Sequence, residues 1–91
     1  MNIEQTNTFR KAVKKLHQSH INEVKGVIEK IAVDPLSGGL KRGDLAGIRV
    51  YKFHLDHQLV LLAYFYEEQD ERLTLIDLSS HENFYKRLKK K

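Results

Sequence analysis

The sequence predicts an α+β fold, in which an antiparallel β-sheet is covered by helices. In the first third of the chain apolar residues recur at helical spacing, a glycine-rich segment then ends this pattern, and the remainder shows the spacing of strands. The predicted element order is β, α, α, β, β, β, α. Because no internal repeat or composition change divides the chain, we expect residues 1–91 to form a single domain.

The N-terminal third predicts a short strand followed by an αα-hairpin packed on one face of the sheet. Residues 2–5 are extended, and Thr6 or Asn7 can cap a first helix with apolar residues at positions i, i+3, i+4 and i+7. Ser19 can cap the second helix. That helix is expected to end at Val33, because an Asp-Pro pair follows and proline disfavours helical geometry in the residue before it.

The remainder predicts a surface loop, a three-strand meander and a short C-terminal helix. The loop spans residues 36–47, and the strands are expected at 48–56, 59–66 and 73–78. Short connections between these strands imply antiparallel hairpins. The strand at 59–66 is apolar on both faces and is therefore expected at the centre of the sheet. Ser79 or Ser80 can cap the last helix.

The composition limits the classes of function. The chain has no cysteine, which excludes disulfide frameworks, thiolate metal sites and cysteine nucleophiles. Sixteen Lys and Arg against twelve Asp and Glu give a formal charge of +4, which favours polyanionic partners such as nucleic acid or an acidic protein segment. The polar N-terminus and the lack of a long apolar run predict a cytoplasmic protein with no membrane association.

The first strand of the meander carries the most informative pattern. Alternation places Lys52, His54 and Asp56 on one face, opposite the apolar side chains of the same strand. Ionisable groups at this spacing lie about 7 Å apart and can serve one phosphate and its leaving group. The same alternation is also typical of any half-exposed antiparallel strand, so a merely solvated face remains open.

Further candidates come from the turn after this strand and from the C-terminal helix. His54 and His57 are an odd number of residues apart and lie on opposite strand faces, so no metal site is expected. His81 and Tyr85 are one helical turn apart and share a face. An imidazole can exchange a proton near neutral pH, and a tyrosine can stack on a base. The alternative is that the aromatic residue anchors the helix and the histidine is simply exposed.

Basic residues form a plausible phosphate-contacting surface. The candidates for RNA binding are Lys41, Arg42, Arg49, Lys86, Arg87 and Lys89, with the basic face of the first helix (Arg10, Lys11, Lys14 and Lys15) beside them.

Two stretches resemble the RelE/ParE superfamily of bacterial type II toxin-antitoxin toxins. They are LKRGDLAGIRVYKFHLDHQLVLLAYFY (residues 40–66), which begins with a glycine-bearing motif L-x-x-G-x-x-x-G-x-R, and the C-terminal SSHENFYKRLK (residues 79–89). The resemblance implies a RelE-like fold of the microbial-RNase type. In RelE-type members the sheet face away from the helices holds mRNA in the ribosomal A site and cleaves it without metal, so no cofactor is expected.

The resemblance also implies roles for individual residues. Lys52 and His54 fall where RelE-like toxins place two basic strand residues, and Asp56 lies near an acidic residue of the YafQ-like branch. His81 and Tyr85 match the spacing of a histidine and an aromatic residue in the same branch.

Of two further positions, one agrees with the family pattern and the other departs from it. Arg49 occupies the arginine of the glycine-bearing motif, whereas Leu61 stands where RelE has a phosphate-binding arginine. The positive charge that stabilises the transition state must then come from Lys52, from Arg49 or from a cation of the C-terminal helix, or else catalysis is weak.

The implied activity is ribosome-dependent mRNA endoribonuclease activity by 2′-OH transesterification, which inhibits translation. His54 and His81 are the expected proton-transfer pair, Lys52 the electrostatic stabiliser and Tyr85 the residue that positions the nucleotide. The implied partners are the ribosome, mRNA and an acidic segment of a cognate antitoxin laid over the basic helix or the sheet edge, with operator DNA contacted only through the antitoxin complex. Two alternatives are a ParE-like inhibitor of DNA gyrase and a non-catalytic co-repressor.

Overall fold

The computed structural model describes residues 1–83, except for the side chain of Asp44. The elements in chain order are β1 (Asn2–Gln5), α1 (Asn7–Lys14), α2 (Gln18–Val33), β2 (Gly39–Leu40), a 3₁₀ helix (Gly43–Leu45), β3 (Arg49–Leu55), β4 (Gln58–Glu67) and β5 (Arg72–Ser80). The predicted α+β class is confirmed, and β1, α1, α2, β3, β4 and β5 follow one another in the predicted order. No helix within these residues is long and apolar enough to cross a membrane.

The strands form one sheet in the order β1-β5-β4-β3-β2. The predicted meander is confirmed, since β3 pairs with β4 and β4 with β5 in antiparallel fashion, and β4 is central as expected. The sheet is not purely antiparallel, because β1 pairs with β5 in parallel. The loop predicted at residues 36–47 also contains a short edge strand, β2, which pairs with β3 at Arg49 and Val50.

Helix capping explains where α1 begins, and it shows that the predicted cap of α2 was wrong. The Thr6 hydroxyl accepts a hydrogen bond from the Phe9 amide at 3.1 Å and donates one to the Ile76 carbonyl at 2.6 Å, so it caps α1 and ties it to β5. The predicted cap Ser19 lies inside α2, because that helix already begins at Gln18. The end of α2 at Val33 is confirmed.

The main core lies between the αα-hairpin and one face of the sheet, as predicted. Phe9 of α1 and Ile31 of α2 are buried against Leu62 and Tyr64 of β4. The Tyr64 hydroxyl accepts a hydrogen bond from the Gly38 amide and donates one to the Pro35 carbonyl, both at 2.8 Å. The loop after α2 is therefore fixed from inside the core.

A smaller apolar cluster lies on the opposite face of the sheet, which we call the second face. Its buried members are Val50, Leu61 and Ala63 of the sheet and Leu45 of the 3₁₀ helix. The register of β4 against β5 shifts between Ala63 and Tyr64, so that Ile76 is an additional residue on β5. Burial on both faces agrees with the apolar composition of β4.

Candidate functional site on the second face

Strand alternation brings Lys52 and His54 to the second face, as predicted. Both side chains are exposed, whereas Val50 on the same face is buried. In the register of β3 with β4, Lys52 lies opposite Leu61 and His54 opposite Leu59. A cation and an imidazole therefore stand side by side at the margin of an apolar surface.

The floor of this surface is apolar at Leu61, and the buried Asp77 of β5 lies opposite Ala63. Leu61 and Ala63 are 0% exposed and are packed with Leu45 and Ile48, which lie in and after the 3₁₀ helix. Because the Leu61 side chain is fully buried and apolar, this position cannot contribute electrostatic stabilisation to a phosphate. Among the described residues, Lys52 is the cation placed beside it.

His81 approaches the same site from β5. Leu61 is opposite Ser79 and Val60 is opposite Ser80, so the chain leaves β5 at the level of Leu59. His54 also lies at this level, one strand away on the other side of Leu59. At the usual strand spacing, β3 and β5 lie about 10 Å apart across β4, and His81 is the first residue after β5.

The C-terminal helix begins at His81, which is exposed. The Ser80 hydroxyl accepts a hydrogen bond from the Asn83 amide at 3.4 Å, in agreement with one of the two predicted caps. The prediction for Tyr85 falls outside the described residues, as do those for Lys86, Arg87 and Lys89.

Asp56 does not share the face of Lys52 and His54, which corrects the sequence prediction. Strand β3 ends at Leu55, and Asp56 has a left-handed backbone with φ of 56° in the two-residue turn before β4. Its carboxylate accepts a hydrogen bond from His20 Nε2 at 2.9 Å if that nitrogen carries the proton. Because His20 belongs to α2, the carboxylate is turned toward the helical side.

The contact between His20 and Asp56 was not predicted from the sequence. The turn between α1 and α2 lies at the same end of the sheet as the turn between β3 and β4, where a cavity of about 120 Å³ is lined by Leu16, His20, Leu55, Gln58 and Ser80, among others. The pair of His20 and Asp56 could have been predicted from a histidine at the start of α2 together with a carboxylate in the turn between β3 and β4. Within residues 1–83, no three histidine or carboxylate groups are arranged as metal ligands.

Arg49 is not brought together with Lys52 and His54. It lies opposite Tyr64 on the helical side, and its guanidinium donates hydrogen bonds to the carbonyls of Leu36 at 3.2 Å and Gly38 at 2.9 Å. Through these bonds Arg49 stabilises the loop after α2.

The remaining described cations lie around the sheet. Lys41 is half-buried next to β2, and Arg42 is exposed just before the 3₁₀ helix. Lys11 and Lys15 line a cavity of about 300 Å³ beside Leu78 of β5, close to the end of the sheet that leads to His81.

Comparison with solved structures defines the class of the fold. The toxin-antitoxin complex RelBE2 from Mycobacterium tuberculosis contains a chain with a TM-score of 0.76 and 18% identity, covering 88% of this chain and 96% of that one. The YoeB/ParE toxin from Agrobacterium tumefaciens gives 0.75 and 16%, covering 89% and 99%. Isolated RelE from E. coli gives 0.67 and 15%, covering 98% and 96%. The expectation of a RelE-like fold is confirmed.

The sequence itself then identifies the family. The profile of the ParE-like toxins of type II bacterial toxin-antitoxin systems matches residues 3–89. The chain therefore belongs to this family, and the predicted membership of the RelE/ParE superfamily is confirmed. No curated protein matches the chain.

Proposed function

We propose that this toxin is a ribosome-dependent mRNA endoribonuclease that inhibits translation in the cytoplasm. The observation that carries the proposal is the common level of His54 and His81 on either side of Leu59, with the exposed Lys52 next to them. Two imidazoles and one cation at the margin of a single surface supply the groups that phosphodiester transesterification requires.

The proposed reaction uses the side chains of the protein as base, acid and electrostatic stabiliser. One of His54 and His81 takes the proton of a ribose 2′-OH, and the oxygen attacks the adjacent phosphorus. The bond from phosphorus to the 5′-oxygen breaks, and the other histidine protonates that oxygen. Lys52 stabilises the charge that develops on the phosphorane oxygens. The products are a 2′,3′-cyclic phosphate and a 5′-hydroxyl end.

The neighbouring groups are proposed to position the substrate rather than to transfer protons. The half-buried Ile48 and Ile76, which pack on the buried cluster around Leu61, offer contact area to a base or a ribose, and Tyr85 is the proposed stacking residue. Asp56 is proposed to act through His20 by fixing the turn that ends β3, and so to place His54. This assigns Asp56 a positioning role.

Substitution of the two histidines tests the proposal. Each of His54→Ala and His81→Ala is expected to lower cleavage of ribosome-bound message by about 10² to 10⁴, because each removes one proton-transfer group. The measurement is the rate of appearance of cyclic-phosphate ends on a defined message. His57→Ala, in the adjacent turn, serves as the matched control and should cleave normally. Cleavage at the normal rate by the double variant His54→Ala/His81→Ala would reject the assignment.

A second candidate function, inhibition of DNA gyrase, is favoured by a different observation. The centre of the second face is the buried, uncharged Leu61, and the matching family is described as ParE-like. A gyrase supercoiling assay run beside the translation assay separates the two activities. Supercoiling inhibition that persists in the double histidine variant would favour this second function.

We further propose that a cognate antitoxin neutralises the protein. The support comes from the structural neighbours, which include RelBE toxin-antitoxin complexes from Mycobacterium tuberculosis and E. coli. The formal charge of +4 favours an acidic segment in this partner. Contact with operator DNA is proposed to occur only through the complex.

A further inference from the structure

Strand β5 changes partway along its length which of its residues face the second face. Before the register shift, Leu73 and Leu75 are buried in the main core on the helical side. After the shift, Leu78 takes the helical side, and Ser79 lies opposite Leu61 on the second face. A β-bulge, in which one strand carries an extra residue, changes the alternation in this way. Without the extra residue Ser79 would face the helices, as Leu73 and Leu75 do.

Two side chains fix the backbone around the bulge residue, Ile76. The Thr6 hydroxyl donates a hydrogen bond to the Ile76 carbonyl at 2.6 Å. The carboxylate of Asp77, which is 2% exposed, accepts a hydrogen bond from the Leu78 amide at 2.8 Å. Because a carbonyl and an amide next to the bulge both have side-chain partners, the end of β5 is held in one orientation.

Ser79 and Lys52 flank Leu61 on the second face. Lys52 pairs with Leu61 from β3 and Ser79 pairs with it from β5, so the two backbones are about 10 Å apart. Leu61 is fully buried, whereas the next residue of β4 on this face, Leu59, is half-buried and lies opposite His54. The place open to a ligand between the serine and the lysine is therefore the margin of the surface over Leu59.

The Ser79 hydroxyl can turn toward a ligand at this margin. Its side chain is half-buried, and it donates to the Ser80 carbonyl at 3.4 Å, which is longer than the roughly 2.8 Å typical of a hydroxyl donor. A phosphate oxygen is a stronger acceptor than this carbonyl, because it carries negative charge. The short serine side chain reaches a group close to β5, while the flexible four-carbon stem of Lys52 extends over the remaining distance.

We propose that Ser79 is a further catalytic residue, which binds the scissile phosphate from the side of β5 while Lys52 binds it from the side of β3. The hydroxyl donates a hydrogen bond to one non-bridging oxygen, and the ammonium group donates to the other. Both bonds strengthen as negative charge builds up on the phosphorane. Proton transfer stays with His54 and His81. The inference rests on the proposed function, because it assigns a contact within the same reaction.

Ser79→Ala tests this contact in the full-length chain with ribosome-bound message. We expect kcat to fall about 10- to 100-fold with little change in KM, because the lost hydrogen bond is strongest in the transition state. Ser79→Thr keeps a hydroxyl and should retain most of the rate. Thr74→Ala is the matched control and should cleave normally, since Thr74 is half-buried on the same strand but lies opposite Phe65, away from the histidines.

Phosphorothioate messages show whether the hydroxyl contacts the phosphate itself. The probe is a message with sulfur in place of one non-bridging oxygen at the cleavage site, prepared as two separate stereoisomers. Sulfur is a weaker hydrogen-bond acceptor than oxygen, so the isomer with sulfur facing Ser79 should be cleaved more slowly than the natural message. In Ser79→Ala this slowing should largely disappear, while the slowing of the other isomer is retained.

Normal cleavage by Ser79→Ala, or unchanged slowing of both isomers in that variant, would overturn the inference. These results differ from a failure of the proposed function. A protein whose cleavage depends on His54 and His81 but not on Ser79 retains the function and loses this contact. Cleavage that depends on Ser79 but not on the two histidines retains the contact and rejects the assignment of the proton-transfer pair.

Discussion

Tyr64 joins the sheet to the loop after α2 through one hydroxyl group. Its side chain is 0% exposed, and the hydroxyl bonds both the Gly38 amide and the Pro35 carbonyl. Gly38 is required there, because a Cβ atom would lie 2.6 Å from the Tyr64 hydroxyl oxygen. This contact fixes the segment from which β2 begins.

Tyr64→Phe should destabilise the protein by roughly 1 to 3 kcal/mol, because it leaves a buried donor at Gly38 and an acceptor at Pro35 without the tyrosine hydroxyl. Urea unfolding measures the change. Tyr66→Phe is the matched control on the same strand, since no hydrogen bond of the Tyr66 hydroxyl is seen within residues 1–83, and it should unfold almost as the original protein does. Equal unfolding of the two variants would contradict this account.

At the residue scale, sequence periodicity predicted the site only as far as regular structure extends. The shared face of Lys52 and His54 follows from alternation within β3, and the structure confirms it. The same rule failed at Asp56, because the left-handed turn residue breaks the alternation and a contact with His20 in α2 redirects the carboxylate. A contact between residues this distant in sequence leaves no periodic signal.

Among the elements, α1 depends on a single cap that also reaches the sheet. Thr6→Val keeps the shape of the side chain but removes the bond from the Phe9 amide and the bond to the Ile76 carbonyl. We expect a loss of about 1 to 2 kcal/mol in the free energy of unfolding, measured by thermal and urea denaturation. Thr8→Val, at an exposed position of α1, is the control for valine in a helix and should cost clearly less.

The sequence pattern predicted the long elements but not the two-residue strand β2. The change from helical to strand spacing located α1, α2 and the three strands of the meander. Strand β2 was not predicted, because its two residues, Gly39 and Leu40, are too few to show a periodic pattern. Their strand conformation depends on pairing with β3. The parallel orientation of β1 was not predicted either, because nothing within Asn2–Gln5 specifies β5, so far along the chain, as its partner.

Exposed positive charges lie on the helical layer as well as on the sheet. Lys11, Lys14 and Lys15 are exposed on or just after α1, and two of them line the cavity beside Leu78. An RNA bound on the second face as proposed could continue past the end of β5 and meet these lysines. Each phosphate neutralised by a lysine makes the affinity more sensitive to salt.

Replacement of Lys11, Lys14 and Lys15 by glutamine should reduce the slope of log affinity against log salt by about two for single-stranded RNA. Fluorescence anisotropy with a labelled uridine oligonucleotide over a range of salt concentrations measures the slope. The double variant Lys25→Gln/Lys30→Gln, on α2, is the control and should retain the original slope. An unchanged slope in the triple variant would show that RNA does not reach α1.

The parallel pairing of β1 with β5 also sets an order of folding. Asn2 pairs with Arg72 and Gln5 with Leu75, while Thr6 bonds Ile76 at a separation of 70 residues. Strand β1 must therefore wait for β5 to be synthesised, and closing so long a loop slows folding. A nascent chain can assemble its helical hairpin and part of its meander early, but the sheet is complete only after β5 has left the ribosome.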